Sequence, residues 1–185
     1  MDLLTALHAA TNEFGRRLAL VDDDDWTRGT PCSDWDVHYL VAHVVGGNRF
    51  AISILGGMTA SAAIDEVMST SQLGDDPLAA WETTSAAQLD AFHAATVFER
   101  QVDHPLGEIT ARDFLEFRIF DITVHAWDLA SSIGADDQLD ADLVDAVLGI
   151  IDRGPAGMGF GIAALGEADD TASPQARLLD LTGRR

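Results

Sequence analysis

Apolar residues recur at helical spacing along most of the chain and predict several long helices. A first helix is expected over 3–20, where the apolar positions are Leu3, Leu4, Leu7, Ala10, Phe14 and Leu18. A second helix should begin at Ser33, with Asp36 three residues later forming a capping-box-like pair, and should end near Gly56-Gly57. The small and polar residues over 58–74 leave two alternatives, a mobile loop or a short helix.

The second half of the chain continues the helical pattern. The remaining helices are expected after Asp75-Asp76-Pro77, over 110–133 with Gly134 at the end, and over 140–152. Residues 97–102 could form one short extended piece and 104–107 a turn, but no strand pair with regular hairpin signals is visible. The predicted fold class is all-α: a four-helix bundle in a single domain, 1–185. Its C-terminal segment, about 154–185, should be irregular, with a last helical turn or two at 177–181.

Charge and composition exclude several classes of function. The formal net charge is −20, and a field of this sign repels both nucleic acid and anionic membrane surfaces. All eleven basic residues are arginine, so Schiff-base chemistry through a lysine is excluded. Cys32 is the single cysteine. A lone cysteine, no recognisable secretory signal and no apolar run near the roughly 18 residues of a membrane span predict a cytoplasmic protein.

A polar group interrupts the apolar pattern of the second helix at His43, one step off the stripe through Leu40 and Val44. Gly46 and Gly47 follow, although a glycine inside a helix costs about 1 kcal/mol relative to alanine. They leave room beside His43, which a bound ion or ligand would need. The alternative is a hydrogen-bonded core histidine.

The helix over 110–133 carries Asp121 and His125 four residues apart, on one face and one turn apart. Their flanking residues are apolar, so the carboxylate needs a partner. A metal ion is one candidate. Arg118 or a hydrogen bond between Asp121 and His125 is the alternative.

Together these residues predict a metal site, because helical bundles build such sites from side chains on facing helices. His43, Asp121 and His125 would supply two nitrogens and one oxygen, which suits zinc first, and also nickel or iron, with open positions for water or substrate. Asp128 could orient a ligand imidazole or could be exposed.

The other candidate residues have simpler interpretations. His8 and His93 should be structural or solvent-facing, and His38 should point elsewhere on its helix. His104 could line the mouth of the site. Cys32 could in principle be a nucleophile, but no histidine lies near it in the sequence, so packing is the expected role. The four tryptophans are also expected to be packing residues, and Trp127 should face away from the metal.

Two motifs resemble a known family. Residues 30–37, T-P-C-S-D-W-D-V, followed by L-V-A-H over 40–43, are similar to a signature of the DinB/YfiT-like superfamily. The segment V-H-A-W-D-L-A over 124–130 resembles the branch related to the N-terminal domain of mycothiol-dependent maleylpyruvate isomerase. The ending over 177–184 is similar to the usual tail of that branch, so the resemblance extends over almost the whole chain.

The resemblance implies a bundle that holds a divalent metal on three side chains. The first family histidine falls on His43, the last on His125, and the ligand four residues before it on Asp121, where the isomerases have glutamate. The large C-terminal domain of those isomerases has no counterpart in this sequence, so the isomerase activity itself stays open.

Three functions remain open at this stage. The first, suggested by the resemblance, is a metal-dependent transferase or isomerase that uses mycothiol, a low-molecular-weight thiol, with an electrophilic substrate. The second is a metal-dependent hydrolase of a small substrate, and the third is a non-catalytic metal or small-ligand binder. A homodimer is expected from family habit and from the apolar, glycine-rich segment 154–165.

Overall fold

The computed structural model describes residues 1–94, 98–154, 164–169 and 171–185. Within them the chain forms helices and one short hairpin, in the order α1 (Leu3–Leu18), α2 (Val37–Leu55), α3 (Ala60–Ser69), α4 (Pro77–His93), β1 (Gln101–His104), β2 (Gly107–Thr110), α5 (Ala111–Ile133), α6 (Ala141–Arg153) and α7 (Pro174–Leu181). None of these helices is long and apolar enough to cross a membrane. The all-α prediction is confirmed.

Four of the helices form the bundle. Helix α1 packs against α4 and α5, and α2 packs against the same two helices. Helix α5 is the central element, because nearly every residue between Ala111 and Ala130 is buried. Most of these residues are apolar and join one core with α1, α2 and α6, so the few polar groups on α5 are surrounded by hydrophobic side chains.

Helix α5 begins and ends as the sequence predicts. Thr110 accepts a hydrogen bond from the backbone N–H of Asp113, and the Asp113 carboxylate accepts one from the backbone N–H of Thr110. At the other end Gly134 adopts a left-handed conformation with φ 70°, which glycine takes at little cost. These caps fix the ends of the helix that carries Asp121 and His125.

The predicted start of α2 at Ser33 is wrong. The helix begins at Val37, and its N-cap is Asp36, which accepts a hydrogen bond from the N–H of Tyr39 at 2.8 Å. The preceding segment cannot join the helix, because Asp34 has a left-handed φ of 66° and Thr30 donates its N–H to the carbonyl of Trp35. Residues 30–35 therefore form a turn that sets Trp35 and Cys32 apart from the helix.

The short hairpin corrects the expectation that no strand pair exists. Strands β1 and β2 pair antiparallel, with Gln101 opposite Thr110 and His104 opposite Gly107. Of the extended piece predicted over 97–102, only the last two residues fall in β1, and residue 97 lies outside the described part of the chain. Each strand has four residues, too few for a clear alternating pattern.

The remaining helices pack on the bundle or on each other. Residues 60–69 form the short helix α3, one of the two alternatives left open, and α3 packs on α2. Helix α6 agrees with the helix predicted over 140–152, and α7 begins three residues before the turn expected at 177–181. Most of the segment 154–165 lies outside the described residues, so the irregular segment and the homodimer remain predictions.

Candidate metal centre

Helices α2 and α5 bring His43, Asp121 and His125 together. The Nε2 atom of His43 lies 3.2 Å from Oδ1 of Asp121, and the Nε2 atom of His125 lies 3.3 Å from the same oxygen. The two imidazole rings meet edge to face, with their centroids 5.1 Å apart. The His43 side chain is 39% exposed and that of His125 is 10% exposed, so the cluster lies where the core meets the surface.

The residues fit a divalent metal ion. Their three ligand atoms all lie within 4.8 Å of one another. Zinc bound tetrahedrally at about 2.0–2.1 Å from each ligand would separate neighbouring ligand atoms by roughly 3.3 Å. The two measured distances from Asp121 to the imidazoles match that separation, and the two nitrogens and one oxygen are donors that zinc accepts.

Arg118 contacts the same carboxylate from the core side. Its Nη1 donates to Oδ2 of Asp121 at 2.6 Å, while Oδ1 faces the imidazoles. The guanidinium also donates to Gln88 of α4, and to Asn48 and the carbonyl of Val44 in α2. Residues of both helices therefore hold it in place. The arginine therefore pairs with one oxygen of Asp121, as one sequence-based interpretation expected, and the other oxygen faces the histidines.

One of the two glycines inside α2 makes room for this arginine. A Cβ at Gly47 would lie 2.3 Å from Nη1 of Arg118, so the guanidinium occupies the space that the missing side chain leaves. Gly46 instead faces Val67 of α3 and Gln72, which follows that helix. The expectation that the glycines leave room for an ion is thus wrong for Gly47, because a side chain fills that room.

Asp128 orients the imidazole of His125. It is completely buried, and its Oδ2 lies 2.9 Å from Nδ1 of His125, so the alternative that it is exposed is wrong. A proton on Nδ1, donated to Asp128, leaves Nε2 facing Asp121 and His43. Arg184 holds the same carboxylate from the C-terminal tail, through Nε at 3.0 Å and Nη2 at 2.8 Å.

The two carboxylates favour a positive charge on His125. Burial alone would lower the pKa of His125, but its hydrogen bonds to Asp121 and Asp128 and the charge of Asp121 raise it well above its usual value. Burial alone would raise the pKa of Asp121, but the charges of His43, Arg118 and His125 hold it well below its usual value. The pKa of Asp128 is also lowered, against its burial, by its bonds to His125 and Arg184. A metal ion and a proton would compete for His125.

Two residues lie beside the cluster although the sequence did not place them there. The Trp35 ring lies 4.8 Å from the His43 ring and 5.6 Å from that of His125, between centroids. The Sγ atom of Cys32 lies 3.4 Å from Oδ2 of Asp128 and 3.9 Å from Nδ1 of His125. Both residues were expected to be packing residues. The signal that could have found them is their position in the T-P-C-S-D-W motif.

A cavity of about 540 Å³ adjoins the cluster. His43 and Asp121 lie in its wall with residues of α2, α3, α5 and the hairpin turn, and His104 lines it as the sequence analysis suggested. Exposed side chains of the lining, Tyr39, Ile64 and Met68, mark its rim. His8, His38 and His93 are exposed, as expected, and do not contribute to this lining.

Comparison with known proteins identifies relatives of this chain. A family model described as the mycothiol maleylpyruvate isomerase N-terminal domain matches residues 7–130. Two Mycobacterium tuberculosis relatives, the uncharacterized proteins MT0763 and Rv0738, are each 34% identical over 143 residues, which cover 77% of this chain and 74% of the relative.

Solved structures support the same fold. A crystal structure of the mycothiol-dependent maleylpyruvate isomerase superposes with a TM-score of 0.63 at 21% identity, covering 83% of this chain and 67% of that one. A DinB-like protein from Bacillus subtilis, YjoA, superposes with a TM-score of 0.59 at 14% identity, covering 75% of this chain and 95% of its own. At these identities the likeness concerns the fold alone.

Proposed function

The chain belongs to the mycothiol maleylpyruvate isomerase N-terminal domain family, and from this premise we propose a metal-dependent transferase or isomerase that uses a low-molecular-weight thiol of the mycothiol type. The observation that carries the proposal is the position of His43 and Asp121 in the wall of a 540 Å³ cavity, with His125 behind them. Such a volume lies within the range of small-molecule sites, roughly 300–1,000 Å³.

In this proposal His43, Asp121 and His125 hold one divalent metal ion, zinc being the metal that the donor set suits best. When bound, the ion would supply a positive charge that favours the thiolate form of a thiol at neutral pH. Three protein ligands leave a position for the thiol. The resemblance suggests mycothiol because the matched family carries that name.

The chain's own residues prepare this site. Asp128 fixes the His125 ring through Nδ1, and Arg118 fixes the Asp121 carboxylate through Oδ2, so both ligands are oriented before anything binds. Trp35 lies against both imidazoles and covers them from one side. The lining of the cavity is mostly apolar, so a substrate bound there would displace water and strengthen electrostatic interactions at the cluster.

The test measures thiol consumption. Zinc-loaded protein is incubated with mycothiol and a panel of electrophiles, and loss of free thiol is followed against the uncatalysed reaction. We expect acceleration that requires both zinc and thiol. Failure with every electrophile would refute the enzyme and leave a metal or ligand binder, whereas turnover without thiol would indicate a hydrolase.

A matched pair of variants ties the activity to the cluster. His43→Gln removes one ligand, while His38→Gln changes an exposed histidine on the same helix. We expect His43→Gln to lose zinc and activity together and His38→Gln to keep both. Equal activity in the two variants would contradict the assignment of His43.

A further inference from the structure

The cavity beside the metal cluster has two chemically different ends. Helices α2 and α5 run antiparallel along it, since His43 lies beside Asp121, whereas Phe50 lies beside Phe114 with ring centroids 5.8 Å apart. Seven residues separate the two positions on each helix, which corresponds to about 10 Å along the axis. The Phe50 end is therefore about 10 Å from the metal cluster.

Aromatic rings form that distant end. The His104 ring is parallel to that of Phe117, with 5.5 Å between centroids and 3° between planes. Its centroid also lies 5.3 Å from that of Phe114 and 6.0 Å from that of Phe50. All four rings belong to the lining of the cavity. Such a surface favours a flat, apolar ligand, because aromatic groups gain from offset and edge-to-face contacts as well as from burial.

The lining offers little to an anion. Among the described residues that line it, Arg118 is the one arginine, and the chain has no lysine. The guanidinium already donates to Asp121, Gln88, Asn48 and the carbonyl of Val44. Asp121 itself adds a negative charge to the wall. Burial lowers the pKa of His104, despite the opposing effect of Asp103, which keeps that ring neutral at physiological pH. A carboxylate bound at this end would lose its water without gaining a cationic partner.

We propose that the cavity selects an uncharged aromatic electrophile, with its ring among Phe50, His104, Phe114 and Phe117 and its reactive carbon toward His43 and Asp121. This inference rests on the proposed thiol-dependent function and names its substrate class. With an aryl chloride, the thiol sulfur forms a bond to the ring carbon, the carbon–chlorine bond breaks, chloride leaves with the bonding electron pair, and the thiol proton passes to solvent.

The test compares two electrophiles that differ in charge. Zinc-loaded protein and mycothiol are mixed with methyl 4-chloro-3-nitrobenzoate or with the 4-chloro-3-nitrobenzoate anion, and each kcat/KM is divided by the uncatalysed rate constant. We expect the ester to be preferred by at least ~10-fold, because an unpaired buried carboxylate is unfavourable. Equal preference, preference for the anion, or turnover of neither compound while other electrophiles react overturns the substrate class.

A binding measurement separates this inference from the proposed function. Methyl 3-nitrobenzoate and the 3-nitrobenzoate anion lack the leaving group, and their dissociation constants are measured by calorimetry without thiol. Tighter binding of the ester supports the charge selection even if no thiol is consumed in any assay, an outcome that would refute only the proposed function. Tighter or equal binding of the anion overturns the inference.

One rim position supplies a matched pair of variants. Ile64 lines the cavity from α3 and is 41% exposed, so a charged side chain fits there without entering the core. Ile64→Arg adds a cation without a built-in partner, and Ile64→Met keeps the lining apolar. We expect the arginine variant to shift the ester-to-anion binding ratio toward the anion by ~10-fold or more, with little change in the methionine variant. An unchanged ratio in Ile64→Arg would place the ligand elsewhere.

Discussion

The guanidinium of Arg184, the next-to-last residue, holds the carboxylate of Asp128 through two nitrogens, at 2.8 and 3.0 Å. Asp128 in turn lies 2.9 Å from Nδ1 of His125. The C-terminal tail is thus connected to a candidate metal ligand through one buried carboxylate. Through this chain of contacts Arg184 supports the site.

Replacing Arg184 should weaken both the fold and the metal site. In Arg184→Gln the buried Asp128 loses its ion-pair partner, and removing one partner of a buried pair costs about 3–5 kcal/mol of unfolding free energy. Loss of support behind a ligand lowers metal affinity by about 10–100-fold. Denaturant unfolding and zinc titration measure the two effects.

The adjacent arginine provides the control for that variant. Arg185 is 73% exposed and pairs with an exposed Glu167, so Arg185→Gln should change the unfolding free energy by less than about 0.5 kcal/mol. Zinc affinity should stay unchanged. If the two variants behaved alike, the tail would not support the site through Asp128.

Gly47 should tolerate no side chain. Gly47→Ala places a Cβ 2.3 Å from Nη1 of Arg118, so the guanidinium must move away from Asp121. Such overpacking costs about 1–3 kcal/mol, measurable as a lower midpoint of denaturant unfolding.

Gly149 is the matched glycine in a helix. Its added Cβ would meet only Arg153 Nη1 at 3.5 Å, an ordinary contact. Gly149→Ala should therefore raise stability by about 0.5–1 kcal/mol through helix propensity. A neutral or stabilising Gly47→Ala would contradict the role assigned to Gly47.

Metal-free and zinc-loaded protein should depend differently on pH. Burial lowers the pKa of His125, but Asp121 and Asp128 outweigh this effect and raise that pKa well above its unfolded value of 6.5. The stabilisation from the protonated ring is therefore complete below about pH 6.5 and is lost as pH rises through the folded pKa. Zinc requires the neutral ring, so the stabilisation that it supplies grows over the same range.

Melting curves across that pH range compare the two forms of the protein. We expect the Tm of metal-free protein to fall from about pH 6.5 upward and the gap between zinc-loaded and metal-free protein to widen. Free zinc at about 100 times its dissociation constant adds about 2.7 kcal/mol. His125→Gln should abolish both trends. A gap that narrows with rising pH would argue against His125 as a ligand.

Two groups of side chains share His125, and substitution distinguishes between them. His43, Asp121 and His125 form one group of possible metal ligands, and Cys32, His125 and Asp128 form the other. Arg184 already neutralises Asp128, which leaves the second group less suited to a cation. Cys32→Ser should therefore retain zinc, while His43→Gln should reduce its affinity by at least ~100-fold. Metal analysis after dialysis gives the answer, and zinc loss in Cys32→Ser would favour the second group.

Local periodicity determined much of this protein from its sequence. The helical spacing of apolar residues and the glycine at 134 depend on neighbours along the chain, so they predicted α5 and its ends correctly. The four-residue spacing likewise placed Asp121 and His125 on one face of α5. The four-residue strands carried too little pattern, and the competing turn over 30–35 hid the true cap of α2.

Only the tertiary structure decided which residues surround Asp121 and His125 on α5. His43 meets Asp121 across 78 positions, Cys32 meets Asp128 across 96, and Arg184 reaches Asp128 across 56. Such contacts depend on how whole helices and the tail pack, and backbone periodicity carries no information about which distant residues will meet. For the same reason the sequence showed the two glycines of α2 but could not show that an arginine from α5 fills the space beside Gly47.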